Sequence, residues 1–283
     1  MNHKTASSFT TRFAPSPTGL LHRGHAFSAL IAHDAARAAG GRFLVRIEDI
    51  DTERCRPEYA AAILEDIAWL GIAWDGAVVR QSERAGGYAA ALDQLRARGL
   101  LYRCFRTRAE VLAAIGSAPH GPQSAFFGAP LEPAEEQRLV DAGAPFAWRL
   151  SLAAAEQALG GFRDLIFEDA GAGTTKADPS AVGDVILARK GLGVAYHLAA
   201  VVDDAAMGVT CVIRGEDLAP SCHIQRLLQA LLGLPTPAYR HHRLILGPGG
   251  RRLAKRDGAE TLRALRTAGT TPEALRAELG MSR

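Results

Sequence analysis

The sequence predicts an α/β protein with a parallel sheet and helices on both faces, and three observations support this class. Short apolar strands alternate with longer amphipathic helices over residues 1–100. The same alternation resumes over residues 181–240. Glycines follow most of the predicted helices, as they do at Gly40, Gly71 and Gly99, which is where helices commonly end. Strand–helix alternation is typical of parallel sheets covered by helices.

The first strand is expected over "TTRFAP", where Pro15 and Pro17 break it. A helix follows from Gly24 to Ala39, because its apolar residues recur at helical spacing. "RFLVRIED" is a second strand. "PEYAAAILEDIAWLG" and "SERAGGYAAALDQLRARG" are two further helices, the first with a proline in its first turn.

The middle of the chain is less regular, and we assign residues 101–180 to an inserted α+β lobe. Residues 116–133 are rich in glycine, proline and alanine and predict a long loop. "WRL" and "FRDLIFED" predict short strands on either side of a helix over "SLAAAEQAL".

Residues 181–240 are expected to complete the parallel sheet. "DVILARK" and "VAYHLAAVVDD" predict a strand pair, "VTCVIRGEDL" a strand, "APSCHIQRLLQALLG" a helix and "YRHHRLIL" a late strand. Residues 241–283 then comprise a basic, glycine-rich loop and a short helical C-terminal region.

Composition excludes several classes of protein. Of the 283 residues 48% are hydrophobic and 22% charged, which is ordinary for a globular protein with a sizeable core. No apolar run approaches the ~18–20 residues of a transmembrane helix, and the N-terminus lacks a signal-peptide stretch. We therefore expect a cytoplasmic protein without membrane attachment. Four distant cysteines predict neither a disulfide framework nor a zinc knuckle. They are Cys55, Cys104, Cys211 and Cys222.

The stretch "RFAPSPTGLLHRGH" places two histidines at a predicted helix start. Free backbone N–H groups and the positive end of the helix dipole favour an anion there. His22 and His25 add imidazole donors, and Gly24 lets a ligand approach the backbone closely. Taken alone, the pattern could equally be two surface histidines.

A second candidate is the basic run from Arg240 to Arg256, which carries six Lys/Arg and no acidic residue. Such a run suits phosphates, and its glycine-rich part could close over a ligand. A solvated basic surface would have the same composition, and the net charge of +3 does not decide between the two.

Five motifs together resemble the catalytic half of the glutamyl-tRNA synthetases. In chain order they are "RFAPSPTGLLHRGH", "LVRIEDID", "AYHLAAVVDD", "VIRGEDL" and "LAKRDGA". Within them "HRGH" (His22, Arg23, Gly24, His25) resembles the class I HIGH signature, and "RLAKR" (Arg252, Leu253, Ala254, Lys255, Arg256) resembles KMSKS. The resemblance implies a class I Rossmann-like domain in two halves, 1–100 and 181–240, around the inserted, acceptor-binding-like lobe.

The chain ends soon after Lys255, so no anticodon-binding domain is expected. In this respect it is similar to the truncated paralogues, the glutamyl-queuosine tRNA(Asp) synthetases. The resemblance implies ATP-dependent activation of L-glutamate without tRNA, followed by transfer to the queuosine base of tRNA(Asp). It also implies Mg²⁺ with the ATP, and a monomer.

The family resemblance implies two sets of site residues. The expected glutamate-binding residues are Arg12, Ala14, Ser16, Glu48, Tyr196 and Arg214. The expected ATP-binding residues are His22, Gly24, His25 and Lys255. Without the resemblance, Tyr196 could instead be a core tyrosine and Arg214 a surface partner of Glu216.

The chain departs from the family pattern at two places. In the KMSKS-like loop Arg252 replaces the first lysine and Ala254 removes a hydroxyl, which we expect to tune loop closure. Many paralogues bind zinc in the lobe through a Cys-x-Cys pair. Here Cys104 is the first cysteine of that pattern, and Arg106 occupies the position of the second. One thiol cannot make a tetrahedral site, so we expect no structural zinc.

Three alternatives remain open from the sequence. The chain could be a short glutamyl-tRNA synthetase that charges tRNA(Glu), a catalytically silent paralogue that binds tRNA or a partner, or a nucleotidyltransferase that adenylates an acid unrelated to tRNA. "RIED" and "VIRGEDL" argue against the last, and the retained Arg12, Glu48, histidines and Lys255 argue against the silent paralogue.

Overall fold

The fold is given by a computed structural model that describes residues 8–116, 125–191, 193–247 and 260–281. The strands are β1 (Thr10–Phe13), β2 (Arg42–Ile47), β3 (Val79–Arg80), β4 (Leu101–Cys104), β5 (Ala147–Leu150), β6 (Ile166–Asp169), β7 (Gly173–Lys176), β8 (Ile186–Arg189), β9 (Gly193–Val194), β10 (Cys211–Gly215) and β11 (Ala238–His242). The helices are α1 (Arg23–Ala38), α2 (Pro57–Trp69), α3 (Ala85–Ala97), α4 (Arg108–Gly116), α5 (Pro133–Asp141), α6 (Leu152–Leu159), α7 (Tyr196–Ala206), α8 (Ser221–Leu232), α9 (Leu262–Thr267) and α10 (Pro272–Glu278).

A parallel sheet forms the centre of the molecule. β1 pairs in parallel with β2, and β2 with β3. On the other side, β10 pairs in parallel with β11, and β11 with β6. The two groups meet where β1 lies beside β10, since the Thr210 backbone N–H donates to the Thr10 carbonyl at 2.9 Å. The predicted parallel sheet with α1 packed against it is therefore present.

The lobe is built on a separate antiparallel sheet of order β4-β5-β8-β9. Its last two strands lie beyond residue 180, where the sequence placed the end of the lobe. Conversely, β6 lies inside residues 101–180 but pairs with β11 of the central sheet, Tyr239 opposite Asp169. Strand pairing therefore does not follow the division at residue 180.

The strand predicted over "VAYHLAAVVDD" is wrong. Only Gly193–Val194 is strand, and α7 begins at Tyr196. The apolar run has no strict alternation, because the helix is buried on several sides, at Leu198, Ala199, Ala200 and Val201. A buried helix and a buried strand give the same short apolar run.

The C-terminal helices belong to the N-terminal core. Leu262, Leu265, Leu275 and Leu279 are at most 4% exposed and pack in one cluster with the apolar faces of α1 and α2. A second cluster joins α6, α7 and α8 to the lobe side of the molecule. Within the described part of the chain, no helix is long and apolar enough to cross a membrane.

Candidate active site

A cavity of about 480 Å³ lies where β1, β2 and β10 end and α1 begins. Open α/β sheets bind their ligands at this edge. The cavity is lined by all the described residues that the sequence predicted to bind glutamate or ATP. These are Arg12, Ala14, Ser16, His22, Gly24, His25, Glu48, Tyr196 and Arg214. Lys255 and the rest of the KMSKS-like motif, residues 252–256, lie outside the described ranges.

His22 and His25 cap the start of α1 reciprocally. His22 Nδ1 accepts a hydrogen bond from the Gly24 backbone N–H at 3.1 Å, and His25 Nδ1 accepts one from the His22 backbone N–H at 3.2 Å. The rings lie 3.8 Å apart between centroids. Because each Nδ1 accepts, the neutral rings carry their proton on Nε2, where it can be donated.

Gly24 leaves the space that this arrangement needs. A Cβ at this position would lie 3.1 Å from His22 Cε1 and 3.2 Å from its Nδ1, tighter than ordinary packing. A side chain here would require the His22 ring to shift by a few tenths of an ångström. The glycine of the HIGH-like motif therefore leaves room for the His22 ring at the helix start.

Arg23, the remaining residue of the motif, does not line the cavity. Its Nη1 lies 2.6 Å from Glu260 Oε2 and its Nε 3.3 Å from Glu278 Oε2. Beside it, the Leu262 backbone N–H donates to the Leu21 carbonyl at 2.8 Å. Arg23 thus ties the start of α1 to the C-terminal segment.

Four charged side chains form a buried network at the cavity wall. Arg12 Nε and Arg46 Nη1 both donate to Asp204 Oδ1, at 2.9 and 2.6 Å, and Arg46 Nη2 donates to Glu48 Oε1 at 3.1 Å. Burial alone would raise the pKa of Asp204, but the two guanidinium groups outweigh it and lower that pKa to about 2. Burial also raises the pKa of Glu48, against the opposing charges of Arg46 and Arg12. The network fixes Arg12 and Glu48 relative to one another.

The neighbouring acid, Asp203, holds the start of α3 against α7. Its carboxylate accepts hydrogen bonds from Gln81 Nε2 at 2.8 Å, Arg84 Nε at 2.5 Å and the Tyr88 hydroxyl at 2.7 Å. Sequence reasoning missed Asp203, Asp204 and Arg46. The available signal was the acid pair at the end of the apolar run "VVDD", since buried acids require partners.

Arg214 is buried rather than paired at the surface with Glu216. It is 5% exposed, and its Nη1 donates to Gln225 Oε1 at 2.9 Å while its Nη2 lies 3.0 Å from Cys222 Sγ. Glu216 instead accepts from the Leu244 backbone N–H at 3.3 Å. Contacts with α8 therefore orient the guanidinium at the cavity.

Tyr196 stands at the first turn of α7 and borders two cavities. The second has a volume of about 580 Å³ and shares Ser16, Thr18, Glu48 and Tyr196 with the first. Burial raises the pKa of Tyr196, so the hydroxyl stays protonated at neutral pH. The second cavity extends toward the lobe, where Arg149, Asp184, Arg189 and His197 line it.

Cys104 is 7% exposed and packs with Tyr102 and Phe126 in a small cluster of the lobe. Among the described residues no three His, Cys, Asp or Glu side chains are grouped to hold a metal ion. The absence of structural zinc stays a prediction, and bound stoichiometric zinc in the purified protein would contradict it.

Comparison with known proteins identifies the family. Residues 8–282 match the family described as tRNA synthetases class I (E and Q), catalytic domain. The chain belongs to this family. The resemblance drawn from the five motifs is thereby confirmed.

A solved structure confirms the class I fold. The chain is similar to the crystal structure of a glutamate tRNA ligase from Elizabethkingia meningosepticum. The TM-score is 0.72 at 31% identity, covering 89% of this chain and 52% of the ligase chain.

Relatives within the family carry two names. The chain is 47% identical to the glutamyl-Q tRNA(Asp) synthetase of Rhodobacter capsulatus, covering 96% of this chain and 99% of that relative. It is 46% identical to the protein of the same name from Symbiobacterium thermophilum, covering 93% and 82%. It is 41% identical to glutamate–tRNA ligase 2 of a Ruegeria species, covering 94% of this chain and 59% of the ligase.

Proposed function

We propose that this protein activates L-glutamate with ATP, without tRNA, and transfers it to the queuosine base of tRNA(Asp). The observation that carries the proposal is the high identity, over 80–99% of their length, with relatives named glutamyl-Q tRNA(Asp) synthetase. The cavity supports it, since groups suited to a carboxylate and to a triphosphate line the same space.

Glutamate would bind at the Arg12 side of the cavity. A guanidinium has five N–H donors, and the Asp204 carboxylate and the Ile213 carbonyl take three of those on Arg12. The others suit the substrate side-chain carboxylate, with Ala14 and Ser16 beside it. Glu48 suits the α-ammonium group, and the buried Arg214 and the Tyr196 hydroxyl complete the pocket.

ATP would bind at the start of α1. The Nε2–H groups of His22 and His25 suit phosphate oxygens, as does the positive end of the helix dipole. Lys255 is proposed to neutralise charge on the phosphates from the KMSKS-like loop. Mg²⁺ is proposed to accompany ATP, because phosphate oxygens and water usually supply most of its ligands, and the Asp217 carboxylate lines the same cavity.

The chemistry consists of two displacements. The α-carboxylate oxygen of glutamate attacks the α-phosphorus of ATP, and pyrophosphate leaves with the electron pair of the broken P–O bond. A hydroxyl of the queuosine cyclopentene ring then attacks the carbonyl carbon of glutamyl-adenylate and loses its proton to water, and AMP leaves with the electron pair of the broken C–O bond. Positioning and electrostatic stabilisation supply most of the catalysis in such transfers. We propose that the protein acts as a monomer in the cytoplasm.

The function is tested with labelled glutamate, ATP and tRNA from cells with or without queuosine. Label is expected on tRNA(Asp) only when queuosine is present, and removal of the 3′-terminal nucleotide is expected to leave it unchanged. Label on tRNA(Glu) would instead identify a short glutamyl-tRNA synthetase. No glutamate-dependent exchange between ATP and pyrophosphate would indicate a silent paralogue.

Two histidine variants of α1 make the assay specific to the site. His25→Ala removes an imidazole that lines the cavity and is expected to slow the exchange at least about tenfold. His33→Ala changes a histidine of the same helix that lies beside Asp34, outside the cavity lining, and should leave the exchange rate as in the wild type.

A further inference from the structure

A third cavity, of about 530 Å³, lies between α3 and the antiparallel sheet of the lobe. We call it the aromatic groove and define it by Tyr88, Leu92, Phe146, Trp148 and Lys190, which line it. The function proposed above gives this groove no role.

The aromatic groove lies beside the second cavity. Five residues line both spaces, so the two are immediate neighbours. These are Ile50, Thr52, Gln81, Arg189 and Val194. Since the second cavity shares Glu48 and Tyr196 with the first, the three cavities follow one another from the predicted ATP site to the lobe. Whatever occupies the groove therefore lies beside the second cavity, which in turn adjoins the predicted ATP site.

Two half-buried aromatic rings are held in a fixed arrangement at the groove. Trp148 lies in β5 and Phe146 immediately precedes that strand, and the two ring centroids are 5.5 Å apart with planes at 85°. The Arg103 guanidinium carbon lies 4.7 Å from the Trp148 ring centroid, and Arg103 is itself bonded to Glu136. These contacts hold the two rings in place at the groove, nearly perpendicular to each other.

Cations surround the rings. Lys190 Nζ lies 5.7 Å from the Phe146 centroid, and both Lys190 and Arg189 are exposed. The acid in the lining, Asp49, accepts hydrogen bonds from the Ser82 backbone N–H and hydroxyl, each at 2.8 Å. Asp49 is half-buried, so Arg189 and Lys190 are the exposed charges of the lining.

Fixed aromatic rings beside exposed cations are how proteins bind unstacked nucleobases and their phosphates. We propose that the aromatic groove binds the base of a nucleotide adjacent to the acceptor nucleotide in the tRNA loop. The inference rests on the proposed function, which requires a loop nucleotide to enter the reaction centre. Unstacking that nucleotide exposes its neighbour, and the groove lies next to the second cavity, which adjoins the predicted reaction centre.

The test is a double-mutant cycle, in which RNA affinity is measured after a change in the protein, a change in the RNA, and both together. The probe is a synthetic tRNA(Asp) anticodon stem-loop carrying queuosine, intact or with an abasic nucleotide 5′ or 3′ of it. One of the two abasic RNAs is expected to bind the wild-type protein about 5- to 150-fold more weakly, the range for one base–aromatic stack. Trp148→Ala should bind the intact RNA equally weakly and lose nothing further with that abasic RNA.

Two further variants define the outcome. Trp148→Phe retains a ring and should recover most of the affinity, whereas Phe127→Ala removes an aromatic ring that is 52% exposed on the lobe but outside the groove, and should change nothing. If each abasic substitution weakens binding by the same factor in Trp148→Ala as in the wild type, the groove does not bind a base. If Trp148→Ala alters self-association and not RNA affinity, the groove binds a second copy and the proposal is wrong.

The cycle also separates this inference from the proposed function. It measures RNA binding alone, whereas the labelled-glutamate assay measures transfer. If glutamate is transferred but Trp148→Ala and the abasic substitutions affect RNA binding independently, the groove has no role and the proposed function stands. If their effects on binding are not independent but no glutamate reaches queuosine, the groove binds a base and the proposed function is wrong.

Discussion

At the scale of single residues, His197 predicts an acid-sensitive step in stability. Its Nδ1 is buried with no hydrogen-bond partner among the described residues, and burial, helped by the charge of Arg214, lowers its pKa from 6.5 to about 4. Between those pH values the unfolded chain binds more protons than the folded one. Acidification from pH 7 to pH 4 should therefore remove about 3 kcal/mol from the free energy of unfolding through this residue.

Urea denaturation of wild type and His197→Gln between pH 7 and pH 4 measures this loss. The variant should show a flatter dependence of the free energy of unfolding on pH, because glutamine does not titrate. Leu112→Ala serves as the control, since Leu112 is 58% exposed and does not titrate, so its curve should keep the wild-type shape. Equal slopes for wild type and His197→Gln would contradict the prediction.

The site residues differ in how far the sequence could locate them. Those within short motifs, such as His22 and His25, gather at the cavity because strand ends and a helix start are local features. Asp204 could not be placed in the same way, since its partners Arg12 and Arg46 lie 192 and 158 residues away along the chain. A single amino-acid sequence does not show which buried acid pairs with which arginine.

At the scale of a single element, α2 carries an unpaired acid in its buried face. Asp66 is 0% exposed, and neither carboxylate oxygen has a hydrogen-bond partner among the described residues. Burial raises its pKa from 3.8 to about 6, against the opposing charges of Arg266 and Arg263. Below pH 3.8 the Asp66 carboxyl is protonated in both the folded and the unfolded chain. As the pH rises from 3.8 to about 6, the unfolded chain loses this proton before the folded one does, so the free energy of unfolding falls. Asp66 therefore destabilises the helix at neutral and higher pH.

We predict that Asp66→Asn gains about 1–3 kcal/mol in free energy of unfolding relative to wild type between pH 4 and pH 8. Denaturation curves at both pH values give the difference. Gln94→Ala on α3 is the control, because that exposed side chain does not titrate and should give a constant difference from wild type. A constant difference for Asp66→Asn as well would show that its carboxyl does not titrate with a raised pKa.

Elements with one apolar face were predicted from the sequence to within a few residues, as α1 and α2 show. Elements without such a face were missed. α5 has no buried residue and so no apolar periodicity, and the two-residue β3 is too short for any pattern. The prediction of a strand at α7 was wrong for the opposite reason, because burial of the helix on several sides left no helical period in its apolar residues.

At the scale of the whole molecule, sequence order and spatial order diverge. The alternation of strands and helices predicted the central sheet, but not that β6 would leave the lobe to join it, nor that β8 and β9 would stay with the lobe. Those pairings depend on contacts between distant segments. The same holds at the C-terminus, where the sequence predicted short helical pieces but did not indicate that α9 and α10 complete the core around α1.

This completion of the core gives a prediction for the stability of the whole chain. Leu275 in α10 is fully buried in the cluster that contains Phe27 and Leu30, so Leu275→Ala should leave a cavity there and lower the free energy of unfolding by about 2–5 kcal/mol. Trp69 and Trp74 pack against that cluster, and their fluorescence during urea denaturation reports the change. Leu112→Ala is the control, because Leu112 is 58% exposed and its truncation should cost almost nothing. If Leu275→Ala unfolds at the wild-type urea concentration, the C-terminal helices do not stabilise the N-terminal core.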